Sequence, residues 1–267
     1  MADPVLLRLP FSHFCRKAEW GLTQAGVAYS TVDVGLFTLR DVRRVNPEGT
    51  VPVLRDGDRL VVGASNVLAW ADARRVVGPA LYPAPLRAEV RAWEAWADAT
   101  IGPVARREAY RALIADPRLA RGHGLPFWSR TPAARRIYLG VLKTLKARRF
   151  EAADSAAMPV IVAHIQAQLA GKPFLFGNEP TAADVATAAM LEPLVVSAPE
   201  RGYARLPGWS DAVGLMGRVR PATTTRTASR KMRSLDWTRF ITASKLTPIE
   251  AAPALRCECG VPDWTKA

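Results

Sequence analysis

In Val5-Leu6-Leu7-Arg8-Leu9-Pro10-Phe11-Ser12-His13-Phe14-Cys15 an apolar run passes through a proline into a serine and then into helix-forming residues. Val5 to Leu9 suits a buried strand. A helix is expected from about Phe14 to Gln24, with Gly26 as the left-handed residue that stops it. Ser12 then stands at the mouth of a helix. Backbone N–H groups there lack intrahelical partners and the end carries about half a positive charge, so the position favours an anion such as a thiolate.

Moving outward, strand and helix signals alternate over the first 80 residues. Tyr29-Ser30-Thr31-Val32-Asp33-Val34 is β-branched and alternating, and a short helix fits Leu39 to Val45. Asn46-Pro47-Glu48-Gly49 breaks the chain. Val51 to Leu54 and Leu60 to Val62 then flank Asp56-Gly57, the dipeptide suited to a tight hairpin turn. Ser65 is expected to cap the next helix. The order strand, helix, strand, helix, hairpin, helix predicts an α/β unit with parallel pairing in its first half and an antiparallel hairpin in its second.

From Leu86 the strand signals stop. Val90, Trp93, Ala97 and Ile101 recur at helical spacing, and the proline-rich stretch from Val77 to Pro85 reads as the connector before them. Further helices are predicted over Ala133 to Phe150, Met158 to Leu169, Thr181 to Leu194 and Leu206 to Val219. Residues 113–132, with three prolines and two glycines, read as an insertion. The expected division is residues 1–78 as an α/β domain, 86–236 as an all-α domain and 237–267 as an extended tail.

The net charge of +13 suggests nucleic acid until it is mapped. Residues 1–80 carry ten basic and eight acidic side chains, whereas 201–240 carry nine and two. The excess is local, it is dominated by arginine, and no nucleic-acid reading motif accompanies it. No nucleic-acid partner is expected. An apolar run of about 18 residues is lacking, and Met1-Ala2-Asp3-Pro4 leads directly into a strand, so a cytoplasmic protein without a membrane span is expected. Three cysteines, Cys15, Cys257 and Cys259, are too few and too scattered for a disulfide framework.

Pro10 to Tyr29, Asn46 to Leu54, Gly63 to Trp70 and Gly177 to Asp184 together resemble the cytosolic glutathione transferases. The resemblance implies a thioredoxin-like N-terminal domain followed by an all-α helical bundle. It implies glutathione as co-substrate, no metal, a small hydrophobic electrophile as second substrate and a two-fold homodimer. It also implies a cis Val51–Pro52 peptide bond. Pro52 entering a strand leaves the backbone of Val51 free to pair with an extended peptide, and glutathione is such a ligand.

Ser12 matches the serine whose hydroxyl points at the glutathione sulfur. Lowering a thiol from about 8.5 to the mid-6 range requires about 2.7 kcal/mol, and a hydrogen bond to a charged group supplies roughly 1.5–3. Ser65 matches the residue that holds the γ-glutamyl carboxylate. Family members carry Glu or Gln just before it, whereas this chain has Ala64, which removes a polar contact to that end of the ligand. Phe14, Tyr110, Phe127 and Trp128 are the expected electrophile-pocket residues, and Trp93 is expected to pack in the core.

Other residues receive plainer readings. Cys15 stands alone where redox relatives have Cys-x-x-Cys, and reads as a small buried residue. His13 reads as an exposed loop histidine. Thr181 with Asp184 three positions on is a helix-start signal, assigned to folding. Cys257-Glu258-Cys259 lacks a nearby histidine to complete a zinc set. The alternatives to a conjugating transferase are a glutathione-dependent isomerase or thiol reductase, and a catalytically silent interaction module on the same fold.

Overall fold

The structure, a computed structural model, describes residues 3–34, 42–115, 133, 140, 157–221, 226–230 and 247–248. Strand β1 (Val5–Arg8) enters first, and the helix α1 (His13–Gln24) carries the chain over to β2 (Tyr29–Asp33), which pairs parallel to β1 with Val5 opposite Ser30. The crossover closes on Gly26, at φ +66°. Val27 N–H donates to Leu22 O and Gly26 N–H to Thr23 O, the two bonds of a Schellman stop.

Strand β3 (Val53–Asp56) lies antiparallel to β1 on its other side, and the hairpin to β4 (Arg59–Val62) sets Val53 opposite Val62. Gly57 supplies the left-handed residue of the turn at φ +59°. Side chains alternate across β1: Leu6 joins Leu22, Leu54, Val67 and Trp70 on one face, while Leu7 joins Val32, Val42, Val53 and Leu60 on the other. That two-sided burial explains why β1 reads as a continuous apolar run.

The chain then becomes helical, with α2 (Ala64–Ala73), α3 (Arg87–Trp96), α4 (Gly102–Ala115), α5 (Ala157–Leu169), α6 (Ala182–Arg201) and α7 (Trp209–Val219). Val90, Trp93, Ala97 and Ile101 are all buried, as their spacing predicts. The helix they imply is not continuous, because Ala97–Ile101 forms a π turn between α3 and α4. Helix α6 runs seven residues past the expected end at Leu194, through Pro199, although proline removes one helical N–H. Its buried alanines, together with Val185, Met190 and Leu191, form the centre of the helical core.

Thr181 N–H and Oγ1–H both donate to Asp184 Oδ2, at 2.8 and 2.7 Å, and Leu175 N–H donates to Oδ1 at 2.7 Å. Asp184 is therefore structural, as the helix-start pattern indicates. Trp20 and Leu68 from the first domain belong to the same apolar cluster as the helical core, so the two parts share one packed interface.

Two further strands extend the sheet. β5 (Arg226–Arg230) runs parallel to β2, and β6 (Thr247–Pro248) runs parallel to β4, giving the order β5-β2-β1-β3-β4-β6. They arise from stretches read in the sequence as the end of the helical domain and the tail. Of the helix expected at 133–150 only Ala133 and Gly140 are described, and Phe127, Trp128, Cys257 and Cys259 lie outside the described residues. Among the described residues no helix is long and apolar enough to cross a membrane.

Candidate functional site

Helix α1 begins at His13, one residue earlier than expected, with Ser12 as its N-cap. Ser12 N–H donates to Leu9 O at 2.9 Å and fixes the turn, while Oγ accepts from Cys15 N–H at 3.5 Å, at the outer limit of a hydrogen bond. Because Oγ is the acceptor in that contact, its own proton remains available to a ligand at the helix mouth. Cys15 is fully buried, with Leu9 N–H donating to Sγ at 3.3 Å. Burial pushes its thiol up to about 12, with the Leu9 and Ser12 contacts acting in the opposite direction. This is the inert core thiol that the sequence suggests.

His13 is not the exposed loop residue expected. It is the first residue of α1, 6 % exposed, with its ring centroid 4.7 Å from that of Phe14. Its Nε2 is buried without a hydrogen-bond partner. Burial, reinforced by the charge of Arg106, lowers its pKa to about 4, so the imidazole is neutral near pH 7. Across the domain interface it faces Gly102. A Cβ on that residue would stand 3.0 Å from Met190 Sδ, 3.4 Å from His13 Nε2 and 3.6 Å from Phe14 Cζ. The start of α4 thus lies in van der Waals range of the start of α1. Neither residue announces this in the sequence, because the contact spans about ninety positions.

The Val51–Pro52 peptide bond is cis. Pro52 O accepts from Gly63 N–H at 3.0 Å, which joins the start of β3 to the entrance of α2. The N-cap of α2 is Gly63, at φ +88°, and not Ser65, which is the second residue of the helix. Sequence reasoning placed the cap two positions late because a serine outranks a glycine there on propensity alone. The first intrahelical bond runs from Val67 N–H to Gly63 O. The N–H groups of Ala64, Ser65 and Asn66 therefore lie ahead of the helical ladder, open to an anion. Ala64 itself is buried.

The hydroxyl of Ser65 is already engaged. Lys17 Nζ donates to Ser65 Oγ at 2.9 Å, and Ser65 Oγ–H donates to Asp98 Oδ2 at 3.2 Å. Lys17, wholly buried, also lies 2.6 Å from Asp98 Oδ2 and 2.7 Å from Glu94 Oε1. Tyr82 O–H donates to Glu94 Oε2 at 2.7 Å. Burial raises the Asp98 carboxyl above its ordinary value against the opposing pull of Lys17. This charge cluster, which joins α1 and α2 to α3 and the π turn, was not foreseen. A lysine on an amphipathic helix reads as solvated, and its carboxylates lie nearly eighty residues away.

The aromatic candidates divide. Trp93 is a core residue that donates from Nε1 to Thr187 Oγ1 at 2.9 Å and stacks on His164. Phe14 is half-buried against the helical cluster. Tyr110, also half-buried, stands two turns beyond Gly102 on α4, with Arg106 between them. Burial raises the Tyr110 phenol and Arg106 opposes that rise. Among the described residues no three His, Cys, Asp or Glu side chains group as a metal site.

The family profile described as "Glutathione S-transferase, N-terminal domain" matches residues 6–77, and "Glutathione S-transferase, C-terminal domain" matches residues 160–212. A search of curated proteins returns no match to this sequence. Solved structures with a similar fold include a Phanerochaete chrysosporium glutathione transferase, GSTFuA3, 17 % identical, with TM-score 0.63 over 86 % of this chain and 100 % of that one. A Methylobacillus flagellatus glutathione S-transferase with glutathione bound is 20 % identical, with TM-score 0.54 over 85 % and 100 %. The theta class enzyme of Xanthomonas axonopodis pv. citri, also with glutathione bound, is 22 % identical, with TM-score 0.53 over 84 % and 96 %. The chain belongs to the cytosolic glutathione transferase superfamily.

Proposed function

We propose that the protein binds glutathione beside the cis Val51–Pro52 bond and promotes attack of its thiolate on a small hydrophobic electrophile. The observation that carries this reading is the N-terminus of α1, where Ser12 presents a weakly engaged hydroxyl beside unpaired backbone N–H groups. Ser12 donates to the sulfur and, with the helix end, favours the thiolate. Val51 pairs with the cysteinyl unit. The open N–H groups of Ala64, Ser65 and Asn66 receive the γ-glutamyl carboxylate, with Ser65 contributing its backbone while its hydroxyl remains tied to Lys17 and Asp98. Phe14 and Tyr110, together with Phe127 and Trp128, are assigned to the electrophile pocket. Two relatives of this fold were solved with glutathione bound, which supports the ligand assignment. Isothermal titration of the intact chain with glutathione tests it: saturable heat in the micromolar to millimolar range is expected, and none at millimolar ligand rejects it.

A second reading, a silent interaction module, draws on Ala64 and on the engaged Ser65 hydroxyl, which together reduce the polar contacts open to the γ-glutamyl end. Such a module keeps its partner after Ser12→Ala and develops no thiolate absorbance with glutathione. The transferase reading also carries a cytoplasmic two-fold dimer, which sedimentation at micromolar concentration tests. A single 29.1 kDa species would reject it.

A further inference from the structure

Away from Ser12, Pro52 and Ser65, helix α7 and the end of α5 enclose a cavity of about 560 Å3. One wall is largely apolar. Leu169, Ala170 and Pro173 form it where the chain leaves α5 through two left-handed residues, Ala170 at φ +43° and Gly171 at φ +78°. The facing wall is α7, where Asp211, Gly214 and Arg218 follow at i, i+3 and i+7 and so share one side of the helix. The middle position of that side is bare.

Both charged residues are braced against the opposite wall. Arg218 Nε donates to Pro173 O at 2.8 Å, and the guanidinium carbon lies 6.0 Å from the centroid of the Phe174 ring. Its Nη1 stands 3.2 Å from where a Cβ on Gly214 would be, so the cation is laid back along α7 to the level of Gly214. Asp211 Oδ2 accepts from Gln166 Nε2 at 3.1 Å, and the Gln166 amide packs on Gly208, with Oε1 2.7 Å from the place of a Cβ there. The carboxylate and the guanidinium are thereby held about one helical turn, roughly 5 Å, apart along the axis. Among the described residues neither makes an ion pair, so Asp211 Oδ1 and the Nη groups of Arg218 keep their bonding capacity for the cavity. Lys172 adds a second cation beside Pro173, its Nζ donating to Leu175 O at 3.2 Å.

We propose that this cavity binds a free α-amino acid with an apolar side chain. Asp211 receives the ammonium, the Nη pair of Arg218 receives the carboxylate, and the side chain lies on Leu169, Ala170 and Pro173. The ammonium and carboxylate of one α-carbon, with a hydrogen bond of about 2.8 Å at each end, bridge the gap between the two anchored charges. A simple anion would meet the Asp211 carboxylate and a simple cation the Arg218 guanidinium, so the match is to a ligand that carries both charges. The volume falls within the range of small-molecule sites, roughly 300–1,000 Å3. None of these residues belongs to α1, β3 or α2, and the proposal stands independently of the glutathione reading.

L-leucine, L-leucinamide and N-acetyl-L-leucine serve as probes, since they carry both charges, the ammonium alone and the carboxylate alone. Saturation-transfer NMR titrations at neutral pH compare them on the intact protein, on Arg218→Gln and on Asp211→Asn. Leucine is expected to bind the native protein saturably in the millimolar range, about ten-fold more tightly than either analogue, the size of one charge-assisted hydrogen bond at an open site. Added salt should erode that preference. Arg218→Gln should weaken leucine about ten-fold and leave leucinamide where it was, whereas Asp211→Asn should weaken leucine and leave N-acetyl-leucine where it was. Absence of saturable leucine binding at tens of millimolar, equal affinity of the native protein for all three probes, or equal weakening of all three by either variant overturns the proposal. The three-probe comparison on the native protein decides the matter even where a variant loses its fold.

Discussion

The ammonium of Lys17 on α1 lies 2.6 Å from the carboxylate of Asp98, so the first helix of the α/β domain is tied ionically to the turn that opens α4. Glu94 shares the same ammonium and Ser65 bridges it to Asp98. Two carboxylates around one buried cation form an asymmetric cluster, and removal of its members should have unequal effects. Lys17→Met leaves the buried Glu94 and the half-buried Asp98 without a counter-charge, and is expected to cost about 3–5 kcal/mol in chemical denaturation. Asp98→Asn keeps the Lys17–Glu94 pair and relieves one like charge, so its loss should be smaller than that of Lys17→Met. Equal losses would mean that Glu94 does not compensate.

His13 makes stability depend on acid. Its pKa in the folded chain, about 4, lies below the ordinary 6.5, so on acidification the unfolded chain takes up its proton first. Stability contributed by the neutral imidazole is present above pH 6.5 and lost as pH falls towards 4, by up to about 3 kcal/mol. Denaturation midpoints of the native protein and of His13→Gln, measured across that window, should converge as pH falls. Parallel pH curves would place the ring in solvent.

Cys15 should be silent. A fully buried thiol pushed up to about 12 holds almost no thiolate near neutral pH. Iodoacetamide followed by peptide mass mapping should leave Cys15 unmodified in the folded chain and modify it in denaturant. Cys15→Ser should retain glutathione-dependent activity, whereas its inactivation would indicate a mixed disulfide at that position.

Asp184→Ala removes the acceptor for three donors, Leu175 N–H, Thr181 N–H and Thr181 Oγ1–H, all buried. The expected cost is about 3–5 kcal/mol, or failure of the helical domain to fold. Glutathione affinity, where the variant folds, should change little, since none of these atoms belongs to the proposed ligand site.

Much of this architecture was legible because it is local. The Gly26 stop, the Asp56-Gly57 hairpin, the cap at Thr181 and the alternation around Leu6 and Leu7 each follow from a few neighbouring residues. Pro52 was legible through resemblance, since spacing alone does not select a cis bond. The misread features depend on distant parts of the chain. His13 is buried against α4 near Gly102, some ninety positions away, Ser65 is diverted because Lys17 and Asp98 converge on it, and the π turn at Ala97–Ile101 keeps an α-helical apolar spacing while changing the backbone. Propensity assigns the α2 cap to Ser65, and the sharp left-handed entry at Gly63 overrides it.

The role of Ser12 as hydrogen-bond donor to the glutathione sulfur is tested most directly by following ultraviolet thiolate absorbance against pH for glutathione bound to the native protein and to Ser12→Ala. A bound thiol that ionises well below the ordinary 8.5, with Ser12→Ala raising that pH by about one to two units, is the expected result. Bound glutathione that ionises at the same pH in both proteins would contradict it.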